Sequence, residues 1–228
     1  MTLSSETPAV PPRIAAADAY RTPKSWAEAQ LGHVDELLLE QAHLEKKAAA
    51  AAVGYLFRLP SHPRLHRQLS ALGREELVHF ERTLKLMDRR GVAYGKQESS
   101  GYAERLKKAV RKDQPERLID ELLVAALIEH RSHERMSLLA EAFAATEPEV
   151  AQLYADLCPS EERHEELYLQ LAELVAASEL GGSDSPEAIA ACRADVLTRH
   201  AELQAHERRV LLDLPFAPRL HSGVRDRR

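Results

Sequence analysis

The sequence predicts an all-α protein built around four long helices. Alanine, leucine, glutamate and arginine dominate the 228 residues, whereas glycine occurs only 9 times, and this composition favours helices over strands. Apolar residues recur at helical spacing in several long segments, and proline and glycine mark the breaks between them. A chain of this length can form one domain with a full core, so we expect a single domain over residues 23–228.

The first 22 residues are rich in serine, threonine, proline and alanine and lack the apolar core of a secretory signal. We interpret residues 1–22 as a mobile N-terminal arm. A short helix is predicted near Ser25-Trp26. No apolar run is long enough to cross a bilayer, and we therefore expect no membrane association.

Two hairpins of long helices are predicted. The first helix should run from about Val34 to Arg58, and Pro60 and Pro63 should end it and start the second, which should reach Arg90 before Gly91. The third is predicted from about Glu116 to Ala145 and the fourth from about Pro148 to Glu179. Residues 92–115 connect the hairpins and should contain a short helix near Tyr102–Lys112.

The C-terminal part should add one more helix. Gly181-Gly182-Ser183 is a break, and Ser185-Pro186 caps and opens a fifth long helix that we expect to reach about Leu212. The remaining residues, 214–228, are predicted to be a loosely held tail.

The most informative motif is a repeated arrangement of glutamate and histidine. Glu45 precedes Glu76-x-x-His79 by 31 residues, and Glu129 precedes Glu161-x-x-His164 by 32 residues. Residues i and i+3 share a helix face, so each Glu-x-x-His points its two side chains together. One glutamate from each of two helices and one Glu-x-x-His from each of two others form the ligand set of carboxylate-bridged di-metal sites. A single such match would indicate no more than a solvated, glutamate-rich surface.

The predicted hairpins place the four glutamates at one depth. Glu45 lies 14 residues before Leu59 and Glu76 lies 13 residues after Pro63, which are rises of roughly 21 and 20 Å. The second hairpin gives roughly 24 and 20 Å for Glu129 and Glu161 by the same count. Apolar neighbours surround these positions, and burying unpaired carboxylates is very costly. We therefore predict that a metal site, rather than solvent, neutralises them.

Each ligand is predicted to have a position in this site. Glu76 and Glu161 should bridge two metals, Glu45 and Glu129 should be terminal carboxylates, and His79 and His164 should each bind one metal. Carboxylates with neutral imidazoles suit iron or manganese.

Other residues compete for these roles. Glu75 forms an i,i+4 pair with His79, but the second motif has no acid at Ser160, so we prefer Glu76. Glu40-x-x-His43 has no counterpart in the second hairpin, so we interpret its two residues as packing residues or as residues that contact the ligands from outside. His133 and Glu134 either orient ligands or form a surface pair.

The connection between the hairpins indicates the topology. A third helix parallel to the second requires the chain to return over a distance on the order of 40 Å, which residues 92–115 can span. One long crossover in a four-helix bundle is the ferritin-like arrangement.

Several longer segments resemble the bacterial MiaE family of tRNA 2-methylthio-N6-isopentenyladenosine hydroxylases. The resemblance covers about residues 24–225 and is carried by these segments: His43–Ala49, Arg74–Glu81, Ile128–Arg135, Ser160–His164 and Arg219–Val224. The sequence departs from the family pattern at Glu40-Gln41 and at His130. Pro159 directly precedes the fourth segment and could kink or restart its helix.

The resemblance implies a non-haem di-iron monooxygenase with two iron ions and dioxygen as co-substrate. Its substrate would be the isopentenyl group of a modified adenosine near the tRNA anticodon. The two cysteines, Cys158 and Cys192, form no cluster-binding motif, so the electrons would come from a separate reductase. A cytoplasmic protein that is a monomer or small oligomer is expected.

The charge pattern supports an RNA partner in only one segment of the chain. The net charge is −5 with a pI of about 6.1, but residues 82–117 carry 11 basic and 5 acidic side chains. Five of these could contact phosphates, namely Arg105, Lys107, Lys108, Arg111 and Lys112, although an ordinary solvated helix would look the same. Three other functions stay open at this stage: iron storage or peroxide reduction, oxygenation of a small molecule, and a metal-free helical scaffold.

Overall fold

A computed structural model describes residues 20–59 and 63–224, with residues 63 and 64 described by their backbone alone. This part of the chain is all-helical. The α-helices are α1 (Lys24–Glu28), α2 (Val34–Arg58), α3 (Pro63–Arg90), α4 (Tyr102–Leu106), α5 (Glu116–Phe143), α6 (Pro148–Glu179) and α7 (Pro186–Asp213), and a 3-10 turn (Lys107–Ala109) follows α4. The predicted ferritin-like bundle with one long crossover is confirmed.

Two antiparallel hairpins form the bundle, α2 with α3 and α5 with α6. The α2–α3 pair approaches closely at Gly73, where a side chain would touch the backbone and Cβ atoms of Ala49 and Ala52. The second hairpin has a core of large apolar residues such as Leu123, Leu127 and Leu171, all fully buried. The small side chains between α2 and α3 come from the alanine-rich stretch of the sequence, and the large ones of the second hairpin come from its leucine-rich stretches.

The helix ends follow local sequence rules. Gly91 ends α3 with φ +71°, a conformation that favours glycine. Ser185 caps α7 by accepting a hydrogen bond from the Ala188 amide at 3.2 Å. The helix α6 continues through Pro159, so this proline does not restart the helix. The predicted short helix of the crossover ends earlier than expected, at Ala109.

The C-terminal segment is packed into the bundle, so the expected loosely held tail is wrong for residues 214–224. Arg135 donates to the carbonyls of Leu220 and Ser222 at 2.5 and 2.8 Å, and the Glu40 carboxylate accepts the Leu220 amide. Gly223 lies against the backbone of Leu214. Long-range polar contacts hold this segment, and helical periodicity does not reveal such contacts.

The start of the chain is described only from Tyr20. Thr22 is buried and donates its hydroxyl to Glu134 at 2.7 Å, and the Arg131 guanidinium lies over the Tyr20 ring. The remainder of the predicted arm, residues 1–19, lies outside the described residues. No helix in the described part of the chain is long and apolar enough to span a membrane.

Candidate metal centre

The six residues of the repeated motif meet in the interior of the bundle. Their ligand atoms form two overlapping groups, each with all its atoms within 4.8 Å of one another, and every residue in them is buried. The first group is Glu45, Glu76, His79 and Glu161, and the second is Glu76, Glu129, Glu161 and His164. Only Glu76 and Glu161 belong to both groups. This is the position that carboxylates bridging two metals would need.

The polar atoms of this cluster face one another. The His164 Nδ1 atom lies 2.7 Å from Glu76 Oε1, and His79 Nδ1 lies 3.7 Å from Glu76 Oε2 and 3.8 Å from Glu45 Oε2. Despite these distances, both Glu76 oxygens and both of these Nδ1 atoms are buried and form no hydrogen bond of suitable geometry among the described residues. Buried polar atoms are rarely left in this condition, and all four are donor atoms that suit a metal cation. The residues present therefore fit a metal centre.

The protonation of the cluster also indicates a need for cations. Burial, together with the neighbouring Glu45 and Glu129, raises the pKa of Glu76 to about 10. Burial and three nearby carboxylates raise the pKa of Glu161 well above its ordinary value. Carboxylates packed this closely cannot all ionise in a buried site unless positive charge is added. Metal cations would supply that charge and replace the protons.

Hydrogen bonds on the other side of the ligands hold two of them in place. Gln41 donates to Glu45 Oε1 at 2.7 Å. Burial would raise the pKa of Glu45, but its contacts with His79 and Glu76, together with this hydrogen bond, hold the pKa below its ordinary value. Glu75 Oε2 lies 3.2 Å from His164 Nε2. Sequence reasoning missed Gln41 and treated Glu75 only as a rival ligand.

The residues considered as alternative ligands are not members of the two buried groups. Glu75 is 35% exposed whereas Glu76 is 1% exposed, which agrees with the choice of Glu76 for the cluster. Glu40 binds the Leu220 amide, and His43 Nε2 lies 2.8 Å from the Gly95 carbonyl. Glu134 binds Thr22 and Arg131, so its carboxylate serves the packing of the N-terminal segment.

A cavity of about 340 Å³ connects the cluster with the surface. Four cluster glutamates form its inner end: Glu45, Glu76, Glu129 and Glu161. Its apolar walls come from α2 and α5, through Leu44, Ala48, Ala125, Ile128 and Met136. The cavity is closed on the crossover side by residues 97–100, residues 102–104 and Lys107. An apolar cavity ending at a few polar groups is typical of small-ligand sites, which are roughly 300–1,000 Å³.

Known proteins are similar to this chain in structure or in sequence. The solved structure of Protein 43 with aldehyde deformylating oxygenase activity from Synechococcus is 40% identical, with a TM-score of 0.77 over 91% of this chain and 96% of that chain. A curated protein of Pseudomonas putida named tRNA 2-(methylsulfanyl)-N(6)-isopentenyladenosine(37) hydroxylase is 37% identical over 179 residues, which are 73% of this chain and 86% of the relative.

A second curated relative has the same name and comes from Salmonella typhimurium. It is 38% identical over 107 residues, covering 47% of this chain and 38% of that protein. The family model for tRNA-(ms2io6A)-hydroxylase, MiaE, matches residues 10–222, and these residues include all six members of the buried cluster. The chain therefore belongs to the MiaE family of tRNA hydroxylases.

Proposed function

We propose that this protein hydroxylates the isopentenyl group of 2-methylthio-N6-isopentenyladenosine in tRNA, using dioxygen and two iron ions. The observation that carries the proposal is the apolar cavity that ends at the glutamate–histidine cluster. The membership in the MiaE family and the names of the two curated relatives support the substrate.

The six cluster residues would hold the metals. Glu76 and Glu161 would bridge them, Glu45 and His79 would complete one position, and Glu129 and His164 the other. Bound iron would supply the activation of dioxygen that attack on an allylic C–H bond of the isopentenyl group requires. The protein's own residues would fix the ligand geometry and keep the reacting group away from water.

The cavity would position the alkyl group. Leu44, Ala48, Ala125 and Ile128 offer an apolar surface on the way to the carboxylates, which suits a branched hydrocarbon chain but no phosphate. The nucleotide itself would stay at the entrance. Only the prenyl side chain would reach the reacting centre, and this division accounts for selective oxidation of that group.

Hydroxylation consumes one dioxygen, two electrons and two protons, and it yields the alcohol and one water. Cys158 is buried and both cysteines are free. Two cysteines are too few to bind an iron–sulfur cluster. We therefore propose that a separate reductase delivers the electrons. A tRNA substrate would place the enzyme in the cytoplasm, and a monomer or small oligomer stays a prediction.

The test is a nucleoside mass profile of tRNA from a host that makes the prenylated nucleoside but does not hydroxylate it. Expression of this chain should produce a nucleoside heavier by one oxygen atom, and the variant Glu76→Ala should not. If the iron-loaded protein produces no such nucleoside, the tRNA substrate is wrong.

The similarity to the Synechococcus protein favours a second candidate, the oxidation of an aliphatic aldehyde. The apolar cavity is compatible with an alkyl chain. Incubating the iron-loaded protein with a long-chain aldehyde, dioxygen and a reductant would reveal this activity as formate and the hydrocarbon one carbon shorter. If this product forms and the tRNA nucleoside does not, the second candidate replaces the first.

A further inference from the structure

Two aromatic rings lie stacked beside the cavity. The rings of His43 and Tyr94 are 4.9 Å apart with an angle of 21° between their planes. Phe80 meets an edge of Tyr94 at 5.7 Å, yet Tyr94 remains 43% exposed. A single exposed ring is common on protein surfaces, so the restraint and the position of this pair are the informative features.

Polar contacts hold both rings in place. Lys46 donates to the Tyr94 hydroxyl at 2.7 Å, and His43 Nε2 lies 2.8 Å from the Gly95 carbonyl oxygen. The pair is therefore fixed from α2 and from the segment that follows α3. A ring surface that is already ordered loses little conformational entropy when a ligand stacks on it.

The position of the pair relates it to the substrate path. His43 lines the cavity whose inner end is formed by the cluster glutamates, and Tyr94 covers His43 on one side. A purine whose alkyl group occupies this cavity has its ring system at the entrance. Aromatic side chains at that position are the usual surfaces on which unpaired RNA bases stack.

The same entrance carries unpaired cations. Lys47 from α2 and Lys107 from the 3-10 turn line the cavity and are exposed, and neither forms an ion pair within residues 20–59 and 63–224. By contrast, Arg105 and Arg111 of the predicted basic patch are bound to Asp213 and Asp120. The structure thus leaves the lysines of that patch for phosphates.

The entrance is not uniformly basic, because Glu98 and Glu104 also line it. Glu104 accepts a hydrogen bond from the Ser99 hydroxyl at 3.1 Å. Carboxylates next to the lysines would discourage unselective binding of phosphates along the whole rim.

We infer that the cavity entrance is the RNA-binding surface, where a base of a single-stranded loop stacks on the His43–Tyr94 pair and Lys47 and Lys107 contact its phosphates. This inference rests on the proposed function and deepens it. It assigns the recognition of the loop to α2 and the crossover, which lie on either side of the path to the metal cluster.

The experiment uses the iron-loaded enzyme and an anticodon stem-loop RNA that carries the prenylated adenosine. Tyr94→Leu should raise KM about tenfold through loss of stacking, with kcat within about twofold of the parent because the reacting centre is unchanged. Lys47→Ala and Lys107→Ala should each reduce the slope of log Kd against log salt by about 1. Iron content should not change in any of these variants.

Matched controls separate recognition from stability. Tyr94→Phe retains the ring but loses the Lys46 hydrogen bond, so its KM should lie closer to that of the parent than to that of Tyr94→Leu. Phe57→Leu removes a ring that is 81% exposed elsewhere on α2 and should have no effect. If the parent hydroxylates the stem-loop but the Tyr94 and lysine variants keep its KM and its salt slope, the inference about the RNA-binding surface is wrong and the proposed function stands. An iron-loaded parent that neither binds nor hydroxylates the stem-loop would overturn the proposed function as well.

Discussion

The imidazole of His164 lies between an inner and an outer carboxylate. Its Nδ1 atom is 2.7 Å from Glu76 Oε1, and its Nε2 atom is 3.2 Å from Glu75 Oε2. Ser160 donates to the other carboxylate oxygen, Glu75 Oε1, at 2.8 Å, and Arg163 donates to Oε1 at 2.5 Å. An outer carboxylate that accepts the Nε2 proton leaves Nδ1 with the lone pair that a metal requires.

Removal of the outer carboxylate should weaken metal binding without removing a ligand. We expect Glu75→Ala to lower the affinity for ferrous iron about 10–100-fold, because His164 loses the partner that sets its orientation and tautomer. Anaerobic titration with ferrous iron measures this. Glu81→Ala removes an exposed carboxylate on the same helix and is the control; equal affinities for the two variants would contradict the role of Glu75.

Loss of a cluster ligand should abolish the stabilisation by metal. The parent should gain about 2.7 kcal/mol of unfolding free energy when ferrous iron is present at 100 times its dissociation constant, whereas His79→Ala and Glu161→Ala should gain almost none. Thermal unfolding followed by circular dichroism reports both this gain and the helical content, which should stay near that of the parent. Glu166→Ala, at an exposed position of α6, should behave as the parent. Full iron binding by either ligand variant would refute the assignment.

The buried Asp120 should make the fold sensitive to acid. It accepts hydrogen bonds from Arg199 at 2.8 Å and from the Arg111 amide at 2.9 Å. Although burial raises the pKa of Asp120, these partners outweigh it, so the pKa lies below its ordinary value. The contribution of Asp120 to stability is complete above about pH 4, which is the pKa of its carboxyl group in the unfolded chain. This contribution is lost as the pH falls through the lowered pKa of the folded protein.

The variant Asp120→Asn tests this dependence. At neutral pH it should lose about 1–3 kcal/mol, since both guanidinium groups retain some contact with water. The difference from the parent should shrink as the pH falls below about 4. Chemical denaturation at a series of pH values measures it, and a difference that is independent of pH down to the acid transition would show that another group is responsible.

Gly223 should tolerate no side chain. A Cβ atom there would lie 1.7 Å from the Leu214 carbonyl oxygen, so Gly223→Ala must displace the C-terminal segment. We expect a loss of about 1–3 kcal/mol of stability, visible as a lower unfolding temperature. Gly95→Ala is the control, because a Cβ atom there meets no atom within 4 Å. A parental melting temperature for Gly223→Ala would mean that the segment is not held as closely as the structure indicates.

Much of the fold could be predicted because its signals are local. The bounds of α2, α3 and α6 follow from proline, glycine and helical periodicity, and those of α5 and α7 differ by one or two residues from expectation. The equal depths of Glu45 and Glu76 also follow from counting residues in a hairpin. The six cluster residues could therefore be named before the structure was known, whereas their role as iron ligands stays a prediction.

The contacts that support the cluster and hold the C-terminal segment could not be predicted. Gln41 and Glu75 resemble any polar residue of a helix, and only the packing of α3 on α6 brings Glu75 to His164. The tail from Leu214 carries no periodic signal, yet Arg135 and Glu40 hold it inside the bundle. Such hydrogen bonds depend on positions in space that no local rule specifies.

The sequence by itself determined the helices, the order of the hairpins and the residues that converge, because backbone geometry converts spacing along a helix into depth and face. Only the tertiary structure decided which side chains support those residues, where the cavity opens and which lysines stay unpaired at its entrance. These features arise from packing between elements that are far apart in the chain, and packing selects among contacts that the sequence alone leaves equally possible.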